Sequence, residues 1–356
     1  MIRRLPCVFV IALVLAATAS AQDEEAWDLS VGGVALGRFS AGVAQDSGLA
    51  EGLRRIGFGI RQAQVRGSAA RGRAGVVGSL NLGNGTAFVQ SLFAFYEPTL
   101  ALRFRLGRIP TPKPVGTPLP LMDDVDRSAT ETLWAARTIG GHGHDFGLEA
   151  RYHRSHTTAT FMLHNGDGDW SGLRGDYTSF IQGGGATGGI QRLGMAASLG
   201  LAVRGENGLA VGGFAGVNGS RNPNTARDGI GRRYASVGGH VHWGARPGSQ
   251  PVRLKLDVSG LWFDETDRPP ADPIVSVGLF GAVRVARAAE AFARMEQDGD
   301  LRQPDARFVS FGASVSPSAR RGGRYRSERL TVSHRARLRA DGSADHLAVL
   351  QLQLAF

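Results

Sequence analysis

The chain has 356 residues, of which 42% are hydrophobic and 51 are glycine, and its formal charge is +10 at neutral pH. It is too polar for a bundle of membrane helices and too rich in glycine for a long-helix protein; it suits a sheet with one apolar and one wet face. The positive excess is almost all arginine, because Lys113 and Lys255 are the only lysines, and the single cysteine, Cys7, leaves no disulfide to form.

The first element is an export signal. Arg3 and Arg4 precede an apolar run from Leu5 to Ala17, and Ala19-Ser20-Ala21 matches a small-residue cleavage pattern. Residues 1–21 are expected to be removed before Gln22, leaving 22–356 as one domain. The apolar run falls short of the ~20 residues that a spanning helix needs. Loss of the two arginines lowers the charge to +8 (10 − 2).

From there the chain alternates polar and apolar residues with period two, which marks strands rather than helices. Sixteen are expected: 27–42, 52–68, 72–83, 86–96, 99–108, 144–155, 157–165, 189–205, 208–218, 231–245, 250–264, 273–285, 288–297, 306–317, 324–339 and 344–356. Long connections mostly follow odd strands, at 43–51, 109–143, 166–188, 219–230, 265–272 and 298–305. Tight ones mostly follow even strands, as at Glu97-Pro98, 205–208 and 246–248; short links near Asn84 and Gly342 are exceptions. The last strand carries Ala348, Leu350, Leu352, Leu354 and Phe356 on one face, with Gln351 and Gln353 on the other. Sorted loops, an export signal and a terminal apolar strand together predict an all-β transmembrane antiparallel barrel in the bacterial outer membrane.

The stretch LRFRLGRIPTPKPVG, 102–116, sets Leu102, Phe104 and Leu106 against Arg103 and Arg105. An arginine facing lipid at mid-membrane costs roughly 2–4 kcal/mol, so the arginine face must be the lumen. The same alternation turns Arg253, Lys255 and Asp257 inward on one strand, Arg335, Arg337 and Arg339 on another, and His240 and His242 on a third. Recurrent inward cations give a water-filled interior a positive potential and raise the local anion concentration. Three prolines then end the strand, because proline has no N–H for the ladder. The connection that follows, 109–143, is the longest in the chain, and loops of that length are usually functional.

These residues resemble the phosphate-selective porins O and P, a family of trimeric sixteen-stranded barrels. The likeness rests on paired arginines in GLRRIGFGIRQAQVRG at 52–67; on Arg105, Gly107, Pro110 and Gly116; and on Arg137 and Gly140 late in the long loop. It continues with Asn165 to Gly168, EAFARMEQDGD at 290–300, and a closing Gln351, Gln353 and Phe356. The resemblance implies a homotrimer inserted in outer-membrane lipid and lipopolysaccharide, delivered by the barrel assembly machinery through the C-terminal strand. It also implies a third loop folded into the lumen. The candidate pore-lining residues are Arg103, Arg105, Lys113, Arg137, Arg253, Lys255, Arg335 and Arg337. Two lysines cannot form the family's lysine cluster, so small anions in general, rather than phosphate alone, are the expected solutes.

No cofactor, nucleic acid or catalytic chemistry is expected. NGDGD at 165–169 lacks the distal glutamate of a calcium loop. GHGHD at 141–145 holds two histidines and an aspartate of metal-ligand type, but its plain reading is a solvated loop end. Ser236, His240 and His242 share a strand face, yet nothing in the sequence places an acid to orient the base. An enzymatic barrel and a loop-plugged adhesive barrel are the alternatives to a channel.

Overall fold

The computed structural model describes residues 26–44, 53–82, 88–110, 144–164, 195–219, 233–244, 250–263, 273–300, 303–325, 327–339 and 342–356. Sixteen antiparallel strands close into a barrel in which each neighbours the next in sequence and β1 meets β16. They are β1 Asp28–Ala44, β2 Leu53–Arg71, β3 Ala74–Asn81, β4 Phe88–Tyr96, β5 Leu102–Pro110, β6 His144–Arg154, β7 Thr157–His164 and β8 Ala196–Arg204. The others are β9 Leu209–Asn218, β10 Tyr234–Trp243, β11 Val252–Phe263, β12 Ile274–Ala286, β13 Ala289–Asp300, β14 Gln303–Val315, β15 Glu328–Leu338 and β16 Ala344–Ala355. All sixteen expected strands are present, and closure removes the free edges that an open sheet would expose.

The two faces separate as the alternation requires. On β11, Leu254, Leu256, Val258 and Trp262 are exposed outward, whereas Arg253, Lys255 and Ser259 are buried on the lumen side. On β16, Leu350, Leu352 and Leu354 are exposed and Gln351 and Gln353 are buried. A water-soluble barrel could not leave so continuous an apolar band uncovered; a bilayer covers it. Trp27, Tyr96, Tyr152, Trp243 and Phe356 lie exposed at the strand ends on one side of the barrel. This is the aromatic girdle of a membrane–water boundary, where an amphipathic ring satisfies both media.

That side also holds the tight connections. Two-residue links join β2 to β3, β6 to β7 and β12 to β13. Gly72 and Ser155 take φ of 56° and 48° there, as the turns matching strand twist demand. One connection on this side departs from expectation. Residues 316–327 form the longest link after an even strand and hold a helical turn, α1 Pro317–Arg320. Ser316 Oγ caps it by accepting the Ala319 N–H at 3.1 Å. The buried Tyr325 donates its O–H to Ser314 O at 3.0 Å, and burial pushes the phenol above its ordinary range. On the opposite side, the expected loop 298–305 is largely strand, since β13 runs to Asp300 and β14 begins at Gln303.

The β1–β16 seam pairs Val34 to Val43 with His346 to Ala355, and Phe356 extends it by two bonds. Gly33 N–H donates to Phe356 O at 2.9 Å, and Phe356 N–H donates to Gly33 O at 3.1 Å. Removing Phe356 deletes both bonds at the seam. The expected outcome is a reduced yield of heat-modifiable folded barrel with export unchanged; equal folded yields would place the seam's stability elsewhere.

Candidate pore lining and its ion pairs

The lumen-facing residues of β5 and β6 form one charged cluster. Arg105 and Glu149 are direct cross-strand partners. Arg105 Nε donates to Glu149 Oε1 at 2.7 Å and Nη2 donates to Oε2, a bidentate fork between two buried groups. Arg151 Nε also reaches Glu149 Oε1, at 3.2 Å. Arg103 pairs with Glu97 and keeps 43% of its side chain exposed. The two guanidinium groups lie over aromatic rings of β4, Arg103 at 4.8 Å from Phe95 and Arg105 at 5.1 Å from Phe93. Two residues past Arg105, Gly107 has φ +131°, and a Cβ there would meet Leu92 O at 2.4 Å. Only glycine lets β5 pass so close to β4. Equivalent in sequence, the arginines therefore differ in place: Arg105 is fixed in the wall and Arg103 faces the water.

A second cluster spans β11, β12 and β13. Arg253 Nε donates to Glu290 Oε1 at 2.5 Å. Phe280 is surrounded by cations, with Arg253, Lys255 and Arg294 at 5.0, 5.2 and 5.2 Å from its ring centre. Arg253 and Lys255 point inward as expected, but exposures of 1% and 4% take both out of open water. Phe280 in turn packs against Phe292, 6.2 Å away.

The third group lies on β15, β16 and β1, where arginine meets glutamine. Gln351 Oε1 accepts from Arg38 Nη2 at 2.7 Å, and Gln353 Oε1 accepts from Arg329 Nη2 at 2.9 Å. The alternating glutamines of the last strand thus hold an arginine from each neighbouring strand. Further along, Arg335 and Arg337 lie 4.9 and 5.7 Å from the Phe308 ring, and Arg335 reaches Glu296 Oε2 at 3.3 Å. Arg335 keeps 22% of its side chain exposed.

Lys113 and Arg137, and with them the long loop expected to fold inward, lie outside the described residues. Among the described residues a cavity of about 790 Å³ opens in the lumen beside Arg103, Arg151, Thr160, Phe214 and His240. His240 and His242 face inward, their rings 4.9 Å apart, and His242 Nε2 is 2.8 Å from Asp257 Oδ1. The Ser236 hydroxyl bonds to Gly216 O rather than to either histidine.

The expectation for GHGHD needs correction. His144 and Asp145 are not at a solvated loop end; their exposures are 7% and 0%. β6 begins at His144, so both residues already sit in the sheet between β5 and β7. Asp145 Oδ2 bonds to His164 Nδ1 at 2.8 Å, and His164 Nε2 to Ser198 Oγ at 2.8 Å. This contact set was missed because its members come from three strands. Among the described residues, no three histidine, cysteine, aspartate or glutamate side chains gather as metal ligands would.

No protein-family model and no curated protein matches the chain. Solved structures do. The outer membrane channel DcaP of Acinetobacter baumannii superposes with a TM-score of 0.62 at 12% identity, over 93% of this chain and 97% of that one. OmpF of Salmonella typhi, solved with daunomycin, gives 0.62 at 13% identity over 92% and 97%. The trimer form of OmpT, an outer membrane protein of Vibrio cholerae, gives 0.57 at 10% identity over 93% and 99%. The chain has the barrel fold of outer-membrane channels.

Proposed function

We propose that the protein is an outer-membrane porin, a water-filled channel for passive diffusion of small solutes with a preference for anions. One observation carries the preference: arginines recur on the lumen face, with Arg335 and Arg337 on alternate residues of β15. Cations lining a low-dielectric wall raise the local concentration of anions. Phosphate is one candidate among them. The fold, shared with DcaP and OmpF, supports transport rather than catalysis as the principal activity. Export after cleavage before Gln22, insertion among lipid and lipopolysaccharide by the assembly machinery, and a homotrimer like the OmpT trimer form belong to the same reading.

The test is the reversal potential of the purified protein in a planar bilayer under a salt gradient, with phosphate compared to chloride. Anion permeation in both salts supports the reading; absence of conductance returns the plugged barrel to consideration. Orientation is checked separately. A cysteine replacing Ser343, beside the β15–β16 link, is expected to react with an impermeant reagent on intact cells. One replacing Glu206, whose side chain is 90% exposed in the β8–β9 turn, should react only after permeabilisation. The reverse pattern would invert the barrel.

A further inference from the structure

We propose that the lumen wall also carries a nucleophilic serine, Ser198, served by His164 as general base and by Asp145 as the residue positioning that base. Its substrates are acyl esters small enough to enter the channel.

The geometry is that of a serine triad assembled across three adjacent strands. Asp145 opens β6, His164 ends β7 and Ser198 lies near the start of β8, so all three belong to the end of the barrel bearing the long connections. Their exposures are 0%, 1% and 8%. An ionised carboxylate only accepts, so the 2.8 Å contact to Asp145 Oδ2 places the imidazole hydrogen on Nδ1. In the neutral ring, Nε2 then accepts from Ser198 O–H at 2.8 Å. Asp145 is itself held, since its Oδ1 accepts the Phe146 N–H at 2.8 Å. A base oriented by an acid and hydrogen-bonded to a hydroxyl is the arrangement that activates serine, whatever the fold beneath it.

Ser198 keeps 8% of its surface open, on the lumen face of β8. A Cβ on Gly216 would sit 3.3 Å from Ser198 Oγ and 3.0 Å from Ser236 Oγ, closer than side chains ordinarily approach, so glycine there leaves both hydroxyls uncrowded. Gly200, the next lumen-facing residue of β8 after Ser198, lines the cavity of about 790 Å³. Ser198 Oγ attacks the ester carbonyl carbon as its proton passes to His164 Nε2. The ester C–O bond breaks, and the alcohol leaves with that proton. Water, deprotonated by the same nitrogen, then attacks the acyl-serine, releasing the acid and restoring the Ser198 hydroxyl. The Ser236 O–H, now on Gly216 O, is the neighbouring hydroxyl that can turn to donate to the carbonyl oxygen as it gathers charge.

The experiment uses the full-length folded barrel in detergent with a fluorophosphonate probe and with p-nitrophenyl acetate. The probe is expected on Ser198 by peptide mapping, and to be absent from Ser198→Ala and from heat-unfolded protein. His164→Gln should slow labelling by roughly 10²-fold or more. Asp145→Asn should lower kcat for the nitrophenyl ester by roughly tenfold or more with KM unchanged, and Asp145→Glu should recover part of it. Gly216→Ala should slow labelling, since its Cβ would crowd both the Ser198 and Ser236 hydroxyls. Labelling of the wild type no greater than that of Ser198→Ala overturns the proposal, as does His164→Gln reacting at the wild-type rate. If His164→Gln does not fold, the comparison with Ser198→Ala, which removes a single hydroxyl, decides it. Conductance recorded on the same samples separates failure of this site from failure of the channel reading.

Discussion

Replacing Arg105 by Gln is expected to destabilise the barrel by roughly 3–5 kcal/mol, the cost of leaving a buried charge without its partner. Glu149 has no solvent to turn to and accepts both arms of the Arg105 fork. Arg151, 3.2 Å from the same carboxylate, holds the loss toward the lower end. The temperature at which the heat-modifiable band disappears should fall markedly. The double variant Arg105→Gln/Glu149→Gln should recover most of the loss, because two neutral amides can pair where one orphaned carboxylate cannot. Arg103→Gln removes a half-exposed pair instead and should cost about 0–1 kcal/mol. Equal effects of the two single replacements would mean that Arg105 stands in water as Arg103 does.

Selectivity is expected to respond to different arginines from those that hold the wall together. Arg335→Gln with Arg337→Gln removes two positive charges from the lumen face of β15 and leaves Glu296 its contact with Arg294 at 4.0 Å. The reversal potential should move toward cation permeation, with single-channel conductance preserved. The shift should be large in dilute salt and shrink in concentrated salt, as the Debye length falls from ~10 Å at 0.1 M to ~3 Å at 1 M. An unchanged reversal potential at low salt, with normal folded protein, would take these two arginines out of the selectivity mechanism. The same measurement on Arg105→Gln/Glu149→Gln should show little change, because that replacement removes one charge of each sign.

The sequence by itself determined the strand number, the closed antiparallel barrel and, away from bulges, the face on which alternate residues lie. The reason is that a barrel wall between lipid and water imposes a strict period of two, and antiparallel neighbours need no long-range information to find each other. Leu254, Lys255 and Leu256 declare their sides with no knowledge of the rest of the chain. Alternation also hid what lies along one side. It could not show that Arg105 meets Glu149, 44 residues on, while Arg103 turns to Glu97, or that Arg253 and Lys255 lie buried over the Phe280 ring. Nor could it place Asp145, His164 and Ser198 within hydrogen-bonding reach, since each comes from a different strand. Such contacts depend on register, and register is fixed by where bulges and turns fall. Gly107 at φ +131° and the shift between Ser79 and Leu80 act over one or two residues and leave no periodic trace. Which cations keep exposed surface on the lumen face and which brace the wall was therefore decided only when sixteen registers were set against one another around the closed barrel.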